Sequence, residues 1–308
     1  MKKKVEEEVI FYEISDFKYH LIDLRKSDNT IDAYVSDLSQ YASFLNTYLH
    51  ISDVSEIERD DIIKYIDSLK RKKLSKKSIA RKVVAIKDFH KFLADNNHIE
   101  NVALRIDSPK TDKKLPTVLS IEEVEKMINS IDKDDSISLR NRAMIELLYG
   151  SGLRISELLN IELKNIHLKE RYLQIIGKGD KERLVPIGEM SLIAIRKYLD
   201  KAYNDFCPKG GNLLFYNYKK EPLSRQSVFK FIKKLAEENG IEKEISPHTL
   251  RHSFASHMLE GGMNLRVVQE LLGHEDIQTT QIYTHINRQK LKEGYDTCHP
   301  LSKLEEDK

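Results

Sequence analysis

Apolar residues in the first third of the chain recur at steps of three and four. Ile31, Tyr34, Val35, Leu38, Tyr41, Ala42, Leu45 and Leu49 form one stripe, Ile62, Ile63, Ile66 and Leu69 a second, and Ile79, Val83, Ile86, Phe89 and Leu93 a third. This period marks amphipathic helices. No Gly or Pro precedes Pro109, so the predicted breaks are polar turns such as Asp28-Asn29 and Asn96-Asn97. Residues 1–105 read as a small helical bundle. Between Ile106 and Leu119 the periodicity stops, and Pro109 and Pro116 bracket a polar, basic stretch; residues 106–119 read as a linker. Ser120-Ile-Glu-Glu123 has the form of a capping box that restarts helix, with Val124, Met127, Ile128 and Ile131 as its buried face.

The period changes once more. Tyr172–Ile176 and Glu182–Ile187 are β-prone runs around Gly177-Lys-Gly-Asp180, the pattern of a hairpin. Helices resume afterwards. The fold class is mainly α with a small antiparallel β-sheet: an N-terminal helical bundle followed, over residues 120–308, by an α+β domain.

Composition narrows the class. At 308 residues with 40% hydrophobic and 32% charged residues, two domains with packed cores are expected. No apolar run reaches the roughly 18 residues of a membrane span, and the start, Met-Lys-Lys-Lys-Val-Glu-Glu-Glu, lacks the apolar stretch of a secretory signal. Two distant cysteines, Cys207 and Cys298, exclude a disulfide framework and a cysteine-based zinc site, so a cytoplasmic location is expected. The net charge of +2 says little, but its distribution says more. Between Lys70 and Lys91 ten bases stand against one acid, Asp88. Lys70, Arg71, Lys72, Lys73, Lys76, Lys77, Arg81 and Lys82 are the candidate nucleic-acid contacts, because dense cations attract phosphate backbones; a solvated helix face has the same composition.

Candidate chemistry concentrates in the second half. In Ser246-Pro-His-Thr-Leu-Arg251, Ser246 is an N-cap, Pro247 suits the first helical position, and Gly261-Gly262 ends the helix. His248 and Arg251 then share one face beside the amides of the first turn, a site suited to phosphate. His248 and His252 also have the spacing of two metal ligands, but Thr249 stands where a metalloprotease needs Glu. Asn264–Gly273 reads as a short helix closed by a glycine C-cap that projects His274 away. Asp276 can cap a further helix carrying Tyr283. Arg154 follows the Gly150-Ser-Gly152 turn, and Lys178 sits between two glycines at the hairpin tip.

Taken together, Gly-Leu-Arg-Ile-Ser-Glu-Leu (152–158), Gly-Lys-Gly-Asp-Lys-Glu-Arg-Leu-Val-Pro (177–186), Ser-Pro-His-Thr-Leu-Arg-His-Ser-Phe-Ala-Ser-His (246–257), Val-Gln-Glu-Leu-Leu-Gly-His (268–274), Thr-Thr-Gln-Ile-Tyr-Thr-His (279–285) and His299-Pro300 resemble the tyrosine recombinases of the phage-integrase superfamily, in particular the Xer type. The resemblance implies a catalytic set of Arg154, Lys178, His248, Arg251, His274 and the nucleophile Tyr283. Arg154 and Arg251 would hold the scissile phosphate and His274 would hydrogen-bond it. Lys178 would protonate the leaving 5′-oxygen, while His248 would assist proton transfer at the tyrosine. Glu157 would support the site from behind. The resemblance also implies a SAM-like core-binding domain over 1–105 and a catalytic domain that closes with it round double-stranded DNA. It further implies a tetramer on two duplexes, homomeric or with a paralogous recombinase, in which residues from about 287 onward are exchanged. No metal, ATP or small-molecule cofactor is implied, and a DNA translocase is the implied regulator. The implied activity is site-specific recombination that resolves chromosome dimers at cell division. The integrase or transposase of a mobile element shares the same chemistry, but the chain length leaves no room for an arm-binding domain. A DNA-binding protein that kept the fold without the chemistry, and a metal-dependent nuclease using His248, His252 and His257, are the other readings of these residues.

Overall fold

The computed structural model describes residues 9–97, 99–109, 117–177, 182–273 and 288–301. The chain divides into two compact units, Met1–Lys114 and Leu115–Lys308, each with its own buried hydrophobic cluster.

The first unit is helical: α1 (Val9–Asp23), α2 (Asp28–Phe44), α3 (Arg59–Arg71) and α4 (Lys76–Asn97). The α4 stripe is fully internal, with Ile79, Val83, Ile86, Phe89 and Leu93 all 3% exposed or less. Phe17 of α1 meets Phe89 edge-on, and Tyr41 of α2 reaches the His90 ring at 3.2 Å. Three details differ from the sequence reading. Asp28-Asn29 is not a break but the first turn of α2: Ser27 caps the helix through the Thr30 amide, and Asp28 lies where a negative charge suits the helix dipole. The stripe ending at Leu49 is not α-helical throughout, because Leu45–Leu49 widens into a π turn that closes on His50 with φ of 57°. Ile63 faces outward, 38% exposed, one residue off the face of Ile62 and Ile66.

Ile106 and Leu119, at the two ends of the predicted linker, are core residues of the first and second cluster respectively.

In the second unit Ser120 forms the capping box of α5 (Ile121–Asn129): its Oγ accepts from the Glu123 amide, and its own amide donates to Glu123 Oε2 at 2.7 Å. Helix α6 (Ser136–Gly150) is buried at every position from Ala143 to Gly150 and forms the centre of this core. After the short α7 (Ile155–Leu159), three strands follow in the order β1 (Ile166–His167), β2 (Tyr172–Ile176), β3 (Glu182–Pro186), all antiparallel. The hairpin β2–β3 pairs Leu173 with Val185 and Ile175 with Arg183. Leu173, Ile175 and Val185 are buried, so this row of the pleat faces inward. The sequence reading lacks β1, which at two residues is too short to show a period. Helices α8 (Glu189–Lys201), α9 (Tyr203–Phe206), α10 (Arg225–Glu238), α11 (Pro247–Glu260), α12 (Leu265–Leu272) and α13 (Arg288–Cys298) complete the unit. Helix α13 packs on its own unit, where Tyr295 is 1% exposed and its hydroxyl donates to the Gly150 carbonyl. Among the described residues, no helix is long and apolar enough to cross a membrane.

Candidate active site

Three arginines from separate elements converge on one carboxylate. The first comes from the turn after α6. Gly152 has φ of 57°, and a Cβ there would lie 2.5 Å from the Phe254 ring. Only glycine fits this left-handed, crowded position. The turn delivers Arg154 to the N-cap of α7, where Glu157 accepts from the Arg154 amide at 2.7 Å and from its guanidinium at 2.8 Å.

The second arginine stands on α11. Ser246 Oγ accepts from the Thr249 amide and Pro247 occupies the first helical turn, as the sequence signals predict. Arg251, one turn in, is 7% exposed and donates from Nη1 to the Gly152 carbonyl at 2.8 Å. Its Nη1 is also 3.7 Å from Glu157 Oε2. His248, three residues earlier on the same helix, is exposed.

The third is Arg183 of β3, which the sequence reading did not single out. Its Nη1 and Nη2 meet the two oxygens of Glu157, each at 2.9 Å. A signal for it existed: Leu173, Ile175 and Val185 lie on the inward row, and alternation puts Arg183 on that row too. A cation there needs a buried partner.

The same three guanidiniums cap the C-terminus of α12. Arg183 Nε donates to the Leu271 carbonyl at 2.8 Å, Arg251 Nη2 to that of Leu272, and Arg154 Nη2 to that of Gly273 at 2.8 Å. The last carbonyls of a helix lack intrahelical partners and carry its negative end, so cations are well placed there. Gly273 adopts the left-handed C-cap, φ 64° and ψ 52°.

The electrostatics follow from this geometry. Burial alone would raise the Glu157 carboxyl. The Arg183 hydrogen bonds and charge, with the Arg154 amide and guanidinium, outweigh burial and hold it below its ordinary range. Burial pushes the Arg251 guanidinium down to about 10, and the neighbouring Arg154 and Arg183 push the same way against the pull of Glu157. One carboxylate cannot neutralise three guanidiniums, so the cluster holds an excess of two positive charges. Arg154 is its most open member, with a side chain 36% exposed against 13% for Arg183 and 8% for Arg251. A phosphate diester is the kind of group such an excess would hold.

Arg154, Arg251 and Glu157 are therefore brought together, and His248 is exposed three residues before the buried Arg251 on α11. Lys178, His274 and Tyr283 lie outside the described residues. His257, one of the three histidines of the nuclease reading, is 5% exposed and bonded through Nδ1 to the Tyr149 hydroxyl at 2.8 Å, whereas His248 and His252 are exposed.

The basic run of the first unit needs one correction. Lys70, Arg71, Lys72, Lys73, Lys76 and Lys77 are exposed around the α3–α4 turn. Lys82 is not a surface cation: it is 4% exposed and donates to Asp37 at 2.7 Å and to Gln40 at 3.0 Å. Its position on α4 explains this, since residues 82, 86, 89 and 93 lie on one helical face and the last three are core. Arg81 is half exposed and also paired with Asp37.

Comparison with known proteins agrees with this organisation. The model of the phage integrase family matches residues 117–290, and that of the phage integrase N-terminal SAM-like domain matches residues 14–97. The chain belongs to the phage integrase family and is a tyrosine recombinase. It is 41% identical over 291 residues to the tyrosine recombinase XerD of Listeria innocua serovar 6a, covering 93% of this chain and 98% of that protein. With XerD of Halalkalibacterium halodurans it shares 43% over 276 residues, covering 89% and 92%. Among solved structures, XerH site-specific recombinase bound to palindromic difH substrate in a post-cleavage complex superposes with a TM-score of 0.68 at 26% identity, covering 86% of this chain and 79% of that one.

Proposed function

We propose that this protein cuts and rejoins double-stranded DNA at a specific site through a 3′-phosphotyrosyl intermediate, and that it resolves chromosome dimers in the cytoplasm at cell division. The observation that carries this reading is the cluster of Arg154, Arg183 and Arg251 around the single carboxylate of Glu157, an excess of fixed cations suited to one phosphate group.

In this reading Arg154 and Arg251 hold the non-bridging oxygens of the scissile phosphate and oppose the charge that grows on them in the pentacoordinate transition state. The Tyr283 oxygen attacks phosphorus and the bond to the 5′-oxygen breaks. The tyrosine proton leaves with assistance from His248, and Lys178 donates a proton to the departing 5′-oxygen. His274 hydrogen-bonds the phosphate. Because the phosphotyrosyl ester conserves the broken diester bond, the reverse attack by a 5′-hydroxyl reseals DNA without ATP, and fixed guanidiniums supply the charge that a metal ion would otherwise bring. Residues 1–105 contact DNA through Lys70–Lys77, residues 120–308 carry the chemistry, and four protomers assemble on two duplexes with exchange of the C-terminal segment.

A nicked suicide duplex tests the chemistry. The expected result is a covalent protein–DNA adduct, unaffected by EDTA and absent in Tyr283→Phe; an undiminished adduct in that variant would end the reading. Sequencing the cleaved site separates a chromosomal resolution site from the end of a mobile element.

A further inference from the structure

We infer that Arg183 is a positioning residue for strand cleavage: it fills two acceptor sites of Glu157 and so limits the carboxylate's hold on the Arg154 guanidinium to Nη1 and on Arg251 to a 3.7 Å approach, which leaves their other N–H groups for phosphate. The inference rests on the reading that these two arginines hold the scissile group. Glu157 offers about four lone-pair sites, and all four are taken. Oε1 accepts from Arg154 Nη1 at 2.8 Å and Arg183 Nη1 at 2.9 Å; Oε2 accepts from the Arg154 amide at 2.7 Å and Arg183 Nη2 at 2.9 Å. Arg183 fills two of the four. Its own third bond, Nε to the Leu271 carbonyl at 2.8 Å, fixes the plane of the fork. All three of its guanidinium nitrogens are thus engaged by Glu157 and Leu271.

Deleting this fork would open two acceptor sites on a buried carboxylate, an arrangement that is costly to leave unfilled. The nearest remaining donors belong to Arg251, whose Nη1 already stands 3.7 Å from Oε2, and to Arg154. Arg251 would close onto Glu157, and Arg154, already bonded through Nη1, would be drawn further onto it; both would then be pulled from the phosphate, and the excess charge of the cluster would fall from two to one. Arg183 thus acts through Glu157 rather than on the substrate. A lysine cannot reproduce it, because one ammonium cannot bond both carboxylate oxygens and the Leu271 carbonyl in one plane.

The test uses the full chain and a nicked duplex carrying the sequence mapped as the wild-type cleavage site. Arg183→Met is expected to slow single-turnover adduct formation at least about 100-fold while the Kd for the intact duplex changes by less than about threefold. Arg183→Lys should remain within a few-fold of Arg183→Met. The decisive variant is Arg183→Met combined with Glu157→Gln. Removing the carboxylate charge releases the two clamping arginines, so adduct formation should recover at least about tenfold over Arg183→Met. A residue that merely braced the hairpin against α12 would give a double variant no faster than the single one, and that result overturns the inference. So does an adduct rate within threefold of wild type in folded Arg183→Met or, if that variant does not fold, in Arg183→Lys. An adduct formed by Tyr283→Phe would instead overturn the underlying reading, whatever Arg183 does.

Discussion

In each unit a buried carboxylate, Asp37 or Glu157, is bonded by more than one cation, and the two arrangements do opposite things. Asp37 on α2, 2% exposed, accepts from Lys82 at 2.7 Å and from Arg81. Lys82 is itself buried and takes a further bond to Gln40 at 3.0 Å, so the internal charges cancel and the pair braces α2 against α4. Glu157 on α7 is shared by three guanidiniums, and the same three hold the α12 C-terminus. There the carboxylate sets the direction of a surplus it cannot neutralise. What separates a brace from the proposed phosphate site is therefore the ratio of buried cations to the anion that holds them. Asp37 holds one, Lys82, with a side chain 5% exposed, whereas Glu157 holds two, Arg183 at 13% and Arg251 at 8%, beside the more open Arg154.

The contrast is broken most severely at Lys82. Lys82→Met leaves Asp37 with only the half-exposed Arg81, and losing one member of a buried pair costs about 3–5 kcal/mol. Urea unfolding should show that loss, while Asp37→Leu with Lys82→Met should recover most of it, since an apolar pair of similar volume is close to neutral there. DNA affinity of the folded Lys82→Met protein should equal that of wild type. A weakened affinity at unchanged stability would mean that Lys82 is a phosphate contact after all.

Arg251→Lys ranks next. A lysine keeps one charge but cannot bond the Gly152 and Leu272 carbonyls together as the guanidinium does. Adduct formation on the nicked duplex should fall by about 10²–10³, the scale for losing one fixed donor to a developing oxyanion. Stability should fall far less than in Lys82→Met. If the two variants behaved alike, the distinction between brace and site would fail.

Much of this molecule was legible from residue order, and what escaped did so for physical reasons. The α4 stripe, the Ser120 capping box, the Ser246-Pro247 helix start and the Gly273 C-cap each rest on local chemistry that acts over one or two turns. Asp28 was ambiguous because acidic residues suit both turns and the first turn of a helix. Lys82 had the opposite problem: the density of bases argued for surface, whereas the helical face of residues 82, 86, 89 and 93 argued for interior, as the alternation of 183 with 185 does for Arg183. Periodicity is the stronger signal there, because a buried face admits a cation only with its partner. The partners, Asp37 at 45 residues' distance and Glu157 at 26, are tertiary facts that no local pattern carries.

The two units also differ in their response to acid. In the second, burial raises the Glu146 carboxyl to about 7. Unfolded, it ionises near its ordinary 4.5, so this group's unfavourable contribution grows as pH rises from about 4.5 to 7 and is complete above. Glu146→Gln should be more stable than wild type above pH 7, by up to about 3 kcal/mol, and the two should converge below pH 4.5. His299 in the same unit is pushed down to about 3, chiefly by burial and then by His257, and costs stability as pH falls below 6.5; subtracting wild type from Glu146→Gln removes its contribution. In the first unit His90 is pushed down to about 4 by burial, so stability there is lost as pH falls from about 6.5 to 4. Unfolding curves of Glu146→Gln across pH 4–9 that paralleled wild type would show that the carboxyl is not held neutral.

The smallest effects should come from the exposed end of the basic run, and they sharpen the comparison most finely. Lys72 and Lys77 are exposed, so replacing either with Ala should leave stability within about 0.5 kcal/mol. If each neutralises one phosphate, each replacement lowers the slope of log affinity against log salt by about 0.9. Lys82→Met, measured where it is folded, should leave that slope unchanged. The three lysines lie within eleven residues of one another and carry the same formal charge, so only their burial distinguishes them. Equal slopes for all three variants would assign DNA contact by sequence density alone; slopes that separate 72 and 77 from 82 would assign it by which ammonium is already bonded to a carboxylate.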